Sequence, residues 1–103
     1  MTRAALCALV LAAACGGGGA RPAAHPAEIR AFRFVPDTVD AAPGDTVVWT
    51  NRDVVPHTAT LSGGWDTGEI TTGASGRIVA GEPGTYDYVC AYHPAMRGVL
   101  RVR

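Results

Sequence analysis

The sequence contains no lysine: its nine basic residues are all arginine, and nine acidic residues balance them to a formal net charge of zero. Without a basic stripe it has no electrostatic footprint for nucleic acid, and without an acidic block it has no solvating tail. Long apolar runs are missing too. The longest, Ala4 to Ala14, falls short of the roughly 17–25 residues that a membrane-spanning helix needs. There is no internal repeat, no heptad pattern and no convincing amphipathic helix. A C-x-x-C-H run is absent, which excludes covalent c-type haem attachment. What the chain does have is turn chemistry: 13 glycines and seven prolines in 103 residues, which point to short strands in a single domain.

Residues 1–14 read as a secretory signal peptide, with one positive charge at Arg3, the apolar run, and small residues leading to Cys15. Ala12, Ala13, Ala14 and Cys15 resemble the lipobox of bacterial lipoproteins, although leucine is more usual where Ala12 stands. That resemblance implies that Cys15 is lipidated and becomes the first mature residue. Residues 15–27 then read as a flexible tether containing His25, taken as a solvated histidine rather than a ligand. Processing removes Cys7 and commits Cys15 to lipid, so Cys90 is the one thiol left for residues 28–103, and no disulfide can form within the domain. An unpaired thiol in an oxidising exported compartment needs something to occupy it.

From Glu28 onward, short valine-, threonine- and aromatic-rich runs predict an all-β sandwich of antiparallel strands, about seven to eight in number. EIRAFRFV reads as one strand with a bulge between Ile29 and Phe32. Thr46 to Asn51 reads as a strand buried on both faces, and HTATL, Gly68–Thr72 and Gly76–Ala80 as shorter ones. In GTYDYVC, period two places Tyr86, Tyr88 and Cys90 on one inward face. Tyr86 suits a tyrosine corner, and Gly98 releases the chain into a last strand, GVLRVR.

The stretch VCAYHPAMRG concentrates the chemistry. It holds Cys90, His93 and Met96, each separated from the next by two residues. Thiolate and thioether are soft donors and imidazole is intermediate, so the set selects copper over magnesium, calcium or manganese. With His25 in the tether, the remaining histidine is His57, in NRDVVPHTAT. Two histidines and one cysteine with a weak axial methionine make the blue-copper electron-transfer arrangement.

PGDTVVWTNRDVVPHTAT together with GTYDYVCAYHPAMRGVLRV resembles the bacterial cupredoxins of the plastocyanin and amicyanin kind, and the spacing of His93 and Met96 is similar to that of amicyanins. The resemblance implies a Greek-key β-sandwich binding one type 1 copper ion through His57, Cys90, His93 and Met96. It also implies that Asn51 ties the two ligand loops together by hydrogen bonds near the cysteine sulfur. The function implied is single-electron shuttling at the bacterial envelope between redox proteins, such as a c-type cytochrome and a periplasmic dehydrogenase or reductase. The chain would act as a monomer, exported to the periplasm or envelope, touching the membrane only through Cys15.

Each residue also has a plainer role. Cys90 alone would be a small buried hydrophobe, Met96 core filler, and either histidine a surface residue. A thiol-nucleophile enzyme built on Cys90 leaves Met96 idle and offers no orienting third group for the imidazole, so the chain reads as a non-enzyme. The alternative function is a periplasmic Cu(I) carrier, but carriers use exposed thioethers or paired thiols, and the processed chain has one of each.

Overall fold

The computed structural model describes residues 21–103; the signal segment and Cys15 lie outside the described residues. Seven strands form two sheets, with no helix among the described residues. Sheet one has the order β2-β1-β4-β5, from β1 (Ala24–Arg30), β2 (Arg33–Val35), β4 (Thr46–Asn51) and β5 (Ser75–Val79). Sheet two has the order β3-β7-β6, from β3 (Thr38–Ala41), β6 (Gly84–Cys90) and β7 (His93–Val102). Alternation writes the core. Val47, Trp49 and Asn51 of β4, Tyr88 and Cys90 of β6, and Met96, Gly98, Leu100 and Val102 of β7 are buried at every second position.

The sandwich is not purely antiparallel, as the strand pattern had suggested. β1 runs parallel to β4, from Ala24 opposite Thr46 to Ile29 opposite Asn51, and β3 runs parallel to β7. The first of these pairings shortens the segment read as a tether, because strand structure begins at Ala24 and includes His25. The cause is Asp45, whose carboxylate accepts the amides of Ala23 and Ala42 and lies 2.8 Å from His25 Nε2. His25 is therefore a half-buried structural partner rather than a solvated residue.

EIRAFRFV is a hairpin rather than one bulged strand. β1 and β2 pair antiparallel, Arg30 opposite Arg33, around Ala31 and Phe32, which both take positive φ (50° and 59°). The slip in apolar register marks this turn. β4 has one fully buried face, while Thr46, Val48 and Thr50 on the other are only partly covered. HTATL and Gly68–Thr72 form isolated bridges, His57 with Ile70 and Thr60 with Asp66 and Val89, in the long connection from β4 to β5. Glycines at positive φ, Gly63, Gly68 and Gly73, keep that connection turning.

β7 starts at His93 rather than at Gly98, and Gly98 faces Tyr88 across the strand pair. Tyr86 does form the corner expected of it, donating from its hydroxyl to the Glu82 carbonyl at 2.7 Å. Trp49 is fully buried and stacks on Trp65, and its indole N–H donates to the Tyr88 hydroxyl at 3.1 Å.

Candidate metal centre

Three connections converge at one pole of the sandwich. Leaving β4 at Asn51, the chain turns through Arg52–Pro56 to His57, whose backbone exchanges two hydrogen bonds with Ile70 (3.1 and 2.7 Å) and is thereby fixed. β6 ends at Cys90, a two-residue turn of Ala91 and Tyr92 follows, and His93 opens β7 directly opposite Cys90. The β1–β2 turn supplies Phe32.

These connections bring together three of the sequence-derived ligands. Cys90 Sγ lies 3.6 Å from His57 Nδ1 and 3.7 Å from His93 Nδ1, and the three ligand atoms fall within 4.8 Å of one another. His57 and Cys90 are wholly buried (0% exposed), and His93 is half-buried. Met96 is buried on β7 beyond His93, and it lines, with Phe32 and Ala95, a groove beside the site. A thiol flanked by two imidazole Nδ1 atoms, with a thioether on the same hairpin, is a donor set suited to copper.

The surrounding hydrogen bonds differ from what the resemblance implied for Asn51. Its side-chain amide donates to the carbonyls of Val55 (2.8 Å) and Ile70 (2.9 Å), and its Oδ1 accepts from the Asp53 amide (2.8 Å). Asn51 thus braces the connection that carries His57 and makes no bond to the Cys90 turn. Thr58 joins the two ligand-bearing segments instead: its amide donates to Cys90 Sγ at 3.4 Å, and its Oγ1 accepts the Ala91 amide at 2.8 Å. An N–H aimed at the sulfur stabilises negative charge there, and such outer bonds tune a bound metal.

Sequence reasoning also passed over Asp53. Its Oδ2 sits 2.9 Å from His57 Nε2, while Oδ1 and Oδ2 accept the amides of Ala31 (2.6 Å) and Phe32 (2.9 Å). Burial pushes the Asp53 carboxyl up, but the two amides and the imidazole outweigh it and hold the group below the usual carboxylate value. The one available signal was an acid four residues before a histidine, which is equally common in turns. Phe32 gave none, because its role depends on a turn conformation that non-glycine residues seldom adopt.

Asp53 supplies the orienting group whose absence had counted against a cysteine–histidine nucleophile. Access decides against that reading instead. Cys90 and His57 are sealed from solvent, and a second imidazole occupies the other side of the sulfur, leaving no approach for a substrate.

A family model for the cupredoxin-like domain matches residues 4–102. The sequence is 34% identical over 81 residues to amicyanin of Paracoccus versutus, a match covering 72% of this chain and 61% of that protein. It is 31% identical over 81 residues to amicyanin-alpha of Methylorubrum extorquens, covering 73% and 68%. The match therefore spans only 61% of the length of the first of these relatives. Among solved structures, the reduced Cu(I) form of an amicyanin variant at pH 4 aligns with a TM-score of 0.73 at 28% identity, covering 78% of this chain and 82% of that one. Family model, relatives and backbone agree: the chain belongs to the cupredoxin-like domain family, with amicyanins among its relatives.

Proposed function

We propose that this chain is a type 1 copper protein that carries single electrons between redox proteins of the bacterial envelope. The observation that carries the reading is the cluster of the Cys90 thiol with the His57 and His93 imidazoles, two of the three residues fully buried and their ligand atoms all within 4.8 Å of one another. In this reading Cys90, His57 and His93 would hold the copper, with Met96 as a further, weaker ligand. Copper held there supplies a one-electron couple. The chain's own residues keep the ligands in one geometry for both oxidation states: the His57–Ile70 bridge, the Thr58 bonds and the tight β6–β7 turn leave them little freedom to rearrange. Small rearrangement favours fast transfer.

The surface around the site supports brief docking. Phe32 and Tyr92 (each 49% exposed) and Val54 (89%) crown the pole, with Pro94 and Ala95 exposed beside the half-buried His93. Weak electron-transfer encounters use small patches of this kind. His93 is the exit for the electron, and the partners are a c-type cytochrome or a periplasmic dehydrogenase or reductase, met by a monomer. Export to the periplasm or envelope accords with the apolar leader, and lipid on Cys15 would provide the anchor. Complete burial of Cys90 and His57 argues against a Cu(I) carrier, which must present its ligands for exchange.

One equivalent of Cu(II) added to the purified exported chain tests the proposal. An intense thiolate-to-copper visible band with narrow EPR hyperfine splitting is expected. A colourless product that binds copper only after reduction would refute it in favour of the carrier.

A further inference from the structure

The β1–β2 turn carries an apparent contradiction. Ala31 and Phe32 both occupy left-handed backbone, at φ 50° and 59°, where glycine or asparagine is the easier choice. The Phe32 side chain is also 49% exposed, so it gains less from burial than a core aromatic would. Two arrangements hold the residue there. Asp53 accepts both turn amides while its Oδ2 also meets His57 Nε2, and the Asp53 amide is itself held by Asn51 Oδ1. The Phe32 ring then stands edge-on to both imidazoles: to His57 at 5.2 Å and 89° between planes, and to His93 at 5.0 Å and 87°.

The two contacts serve the two histidines differently. His57 has its Nε2 fixed by the carboxylate, which leaves Nδ1 facing the sulfur with its lone pair free. His93 makes no hydrogen bond to a carboxylate among the described residues; its ring is packed by the Phe32 ring at 5.0 Å and the His57 ring at 5.2 Å, and Phe32 is the one of these that is not itself a ligand. Aromatic edge contacts at these separations restrict ring rotation in both partners.

We propose that Phe32, held in left-handed backbone by Asp53, is a positioning residue that fixes the orientation of both imidazoles before any metal arrives and covers the site's edge from water. The proposal rests on the reading of His57, Cys90 and His93 as ligands, and it deepens that reading by naming what holds them. Asp53 acts through His57, and Phe32 acts chiefly through His93.

The test compares Phe32→Asn, Phe32→Tyr and Asp53→Asn with the parent chain, first without copper. Asparagine tolerates positive φ, so Phe32→Asn removes the ring without adding backbone conflict. NMR of the imidazole side chains in metal-free protein is expected to show two ordered rings in the parent and in Phe32→Tyr. Phe32→Asn should give an averaged His93 ring with His57 still ordered, and Asp53→Asn should lose protection of the His57 Nε2 proton. Copper affinity is then expected to fall about 10–100-fold in Asp53→Asn, the usual cost of losing an outer partner of a ligating histidine. Copper dissociation should be several-fold faster in Phe32→Asn and restored by Phe32→Tyr. Unchanged His93 order and unchanged copper dissociation in Phe32→Asn would overturn the proposal. If the parent chain gave no type 1 spectrum, the ligand reading would fail while the metal-free NMR comparison still decided whether Phe32 orders the imidazoles.

Discussion

Replacing Gly98 with alanine adds a single methyl group and is expected to be among the more damaging small substitutions in the chain. Gly98 faces Tyr88 across the β6–β7 pair, and a Cβ there would lie 2.3 Å from Tyr88 Cζ, 2.4 Å from its hydroxyl and 2.8 Å from Cε1. Favourable separations between such atoms are about 3.5–4.0 Å, so the overlap exceeds what bond flexing absorbs. The ring has nowhere to retreat. It is 1% exposed, packs edge-on against Phe34 (4.8 Å) and Trp49 (5.3 Å), and accepts the Trp49 indole N–H. Overpacking of this kind costs about 1–3 kcal/mol. Displacing the hydroxyl far enough to strand the buried indole N–H adds about 1–3 kcal/mol. Gly98 does not have positive φ, so alanine returns about 0.4–1 kcal/mol by restricting the unfolded chain. A net loss of about 1–6 kcal/mol follows, which at about 4–8 °C per kcal/mol in a domain this size lowers Tm by at least 4 °C or so. The assay is urea unfolding of the metal-free protein. Gly81→Ala serves as the control, because a Cβ there meets nothing within 4 Å. A Gly98→Ala stability within about 0.5 kcal/mol of that control, the ordinary scatter of neutral surface changes, would refute the steric argument.

Asp45 is drawn down to about 2 by the His25 ring and the Ala42 and Ala23 amides. Since the unfolded carboxyl titrates near 3.9, its contribution is complete above about pH 4 and is lost as pH falls through about 2. Asp45→Asn should therefore lower stability at neutral pH and flatten the acid limb of a stability–pH curve; an acid limb as steep as the parent's would contradict this. Thr58→Val keeps shape but leaves the Ala91 amide without its acceptor, a loss of about 1–3 kcal/mol in urea unfolding. An unchanged midpoint would show that the bond contributes little. Ala95→Glu, on the exposed rim, should slow exchange with the redox partner while leaving the copper spectrum intact, and an altered spectrum would remove Ala95 from the docking patch.

The sequence revealed the centre of the site better than its surroundings. Period two in GTYDYVC and the C-x-x-H-x-x-M spacing were enough to place Cys90 inward and His93 beside it, because strand alternation and a short hairpin are local properties. Local patterns cannot report a partner far along the chain. The parallel pairing of β1 with β4 left no trace in AHPAEIR, whose proline and scattered alanines look like linker, so His25 was misplaced. The Ala31–Phe32 turn resembled a bulge because its conformation is imposed by Asp53, 22 and 21 residues away. The bonds near the sulfur that the resemblance implied for Asn51 are made by Thr58, whose amide and side chain reach a turn 32 and 33 residues away.

The direction of β1 sets an orientation for the whole molecule. Ala24 pairs with Thr46 at the start of β4, and the same strand leads to the turn that bears Phe32. Six residues of extended chain span about 20 Å, so the polypeptide joins the sandwich at the pole remote from the metal centre. Were Cys15 anchored in lipid, the attachment would enter at the stern of the sandwich, and the bow, with His93 and its apolar crown, would stay clear of the anchor point for passing partners.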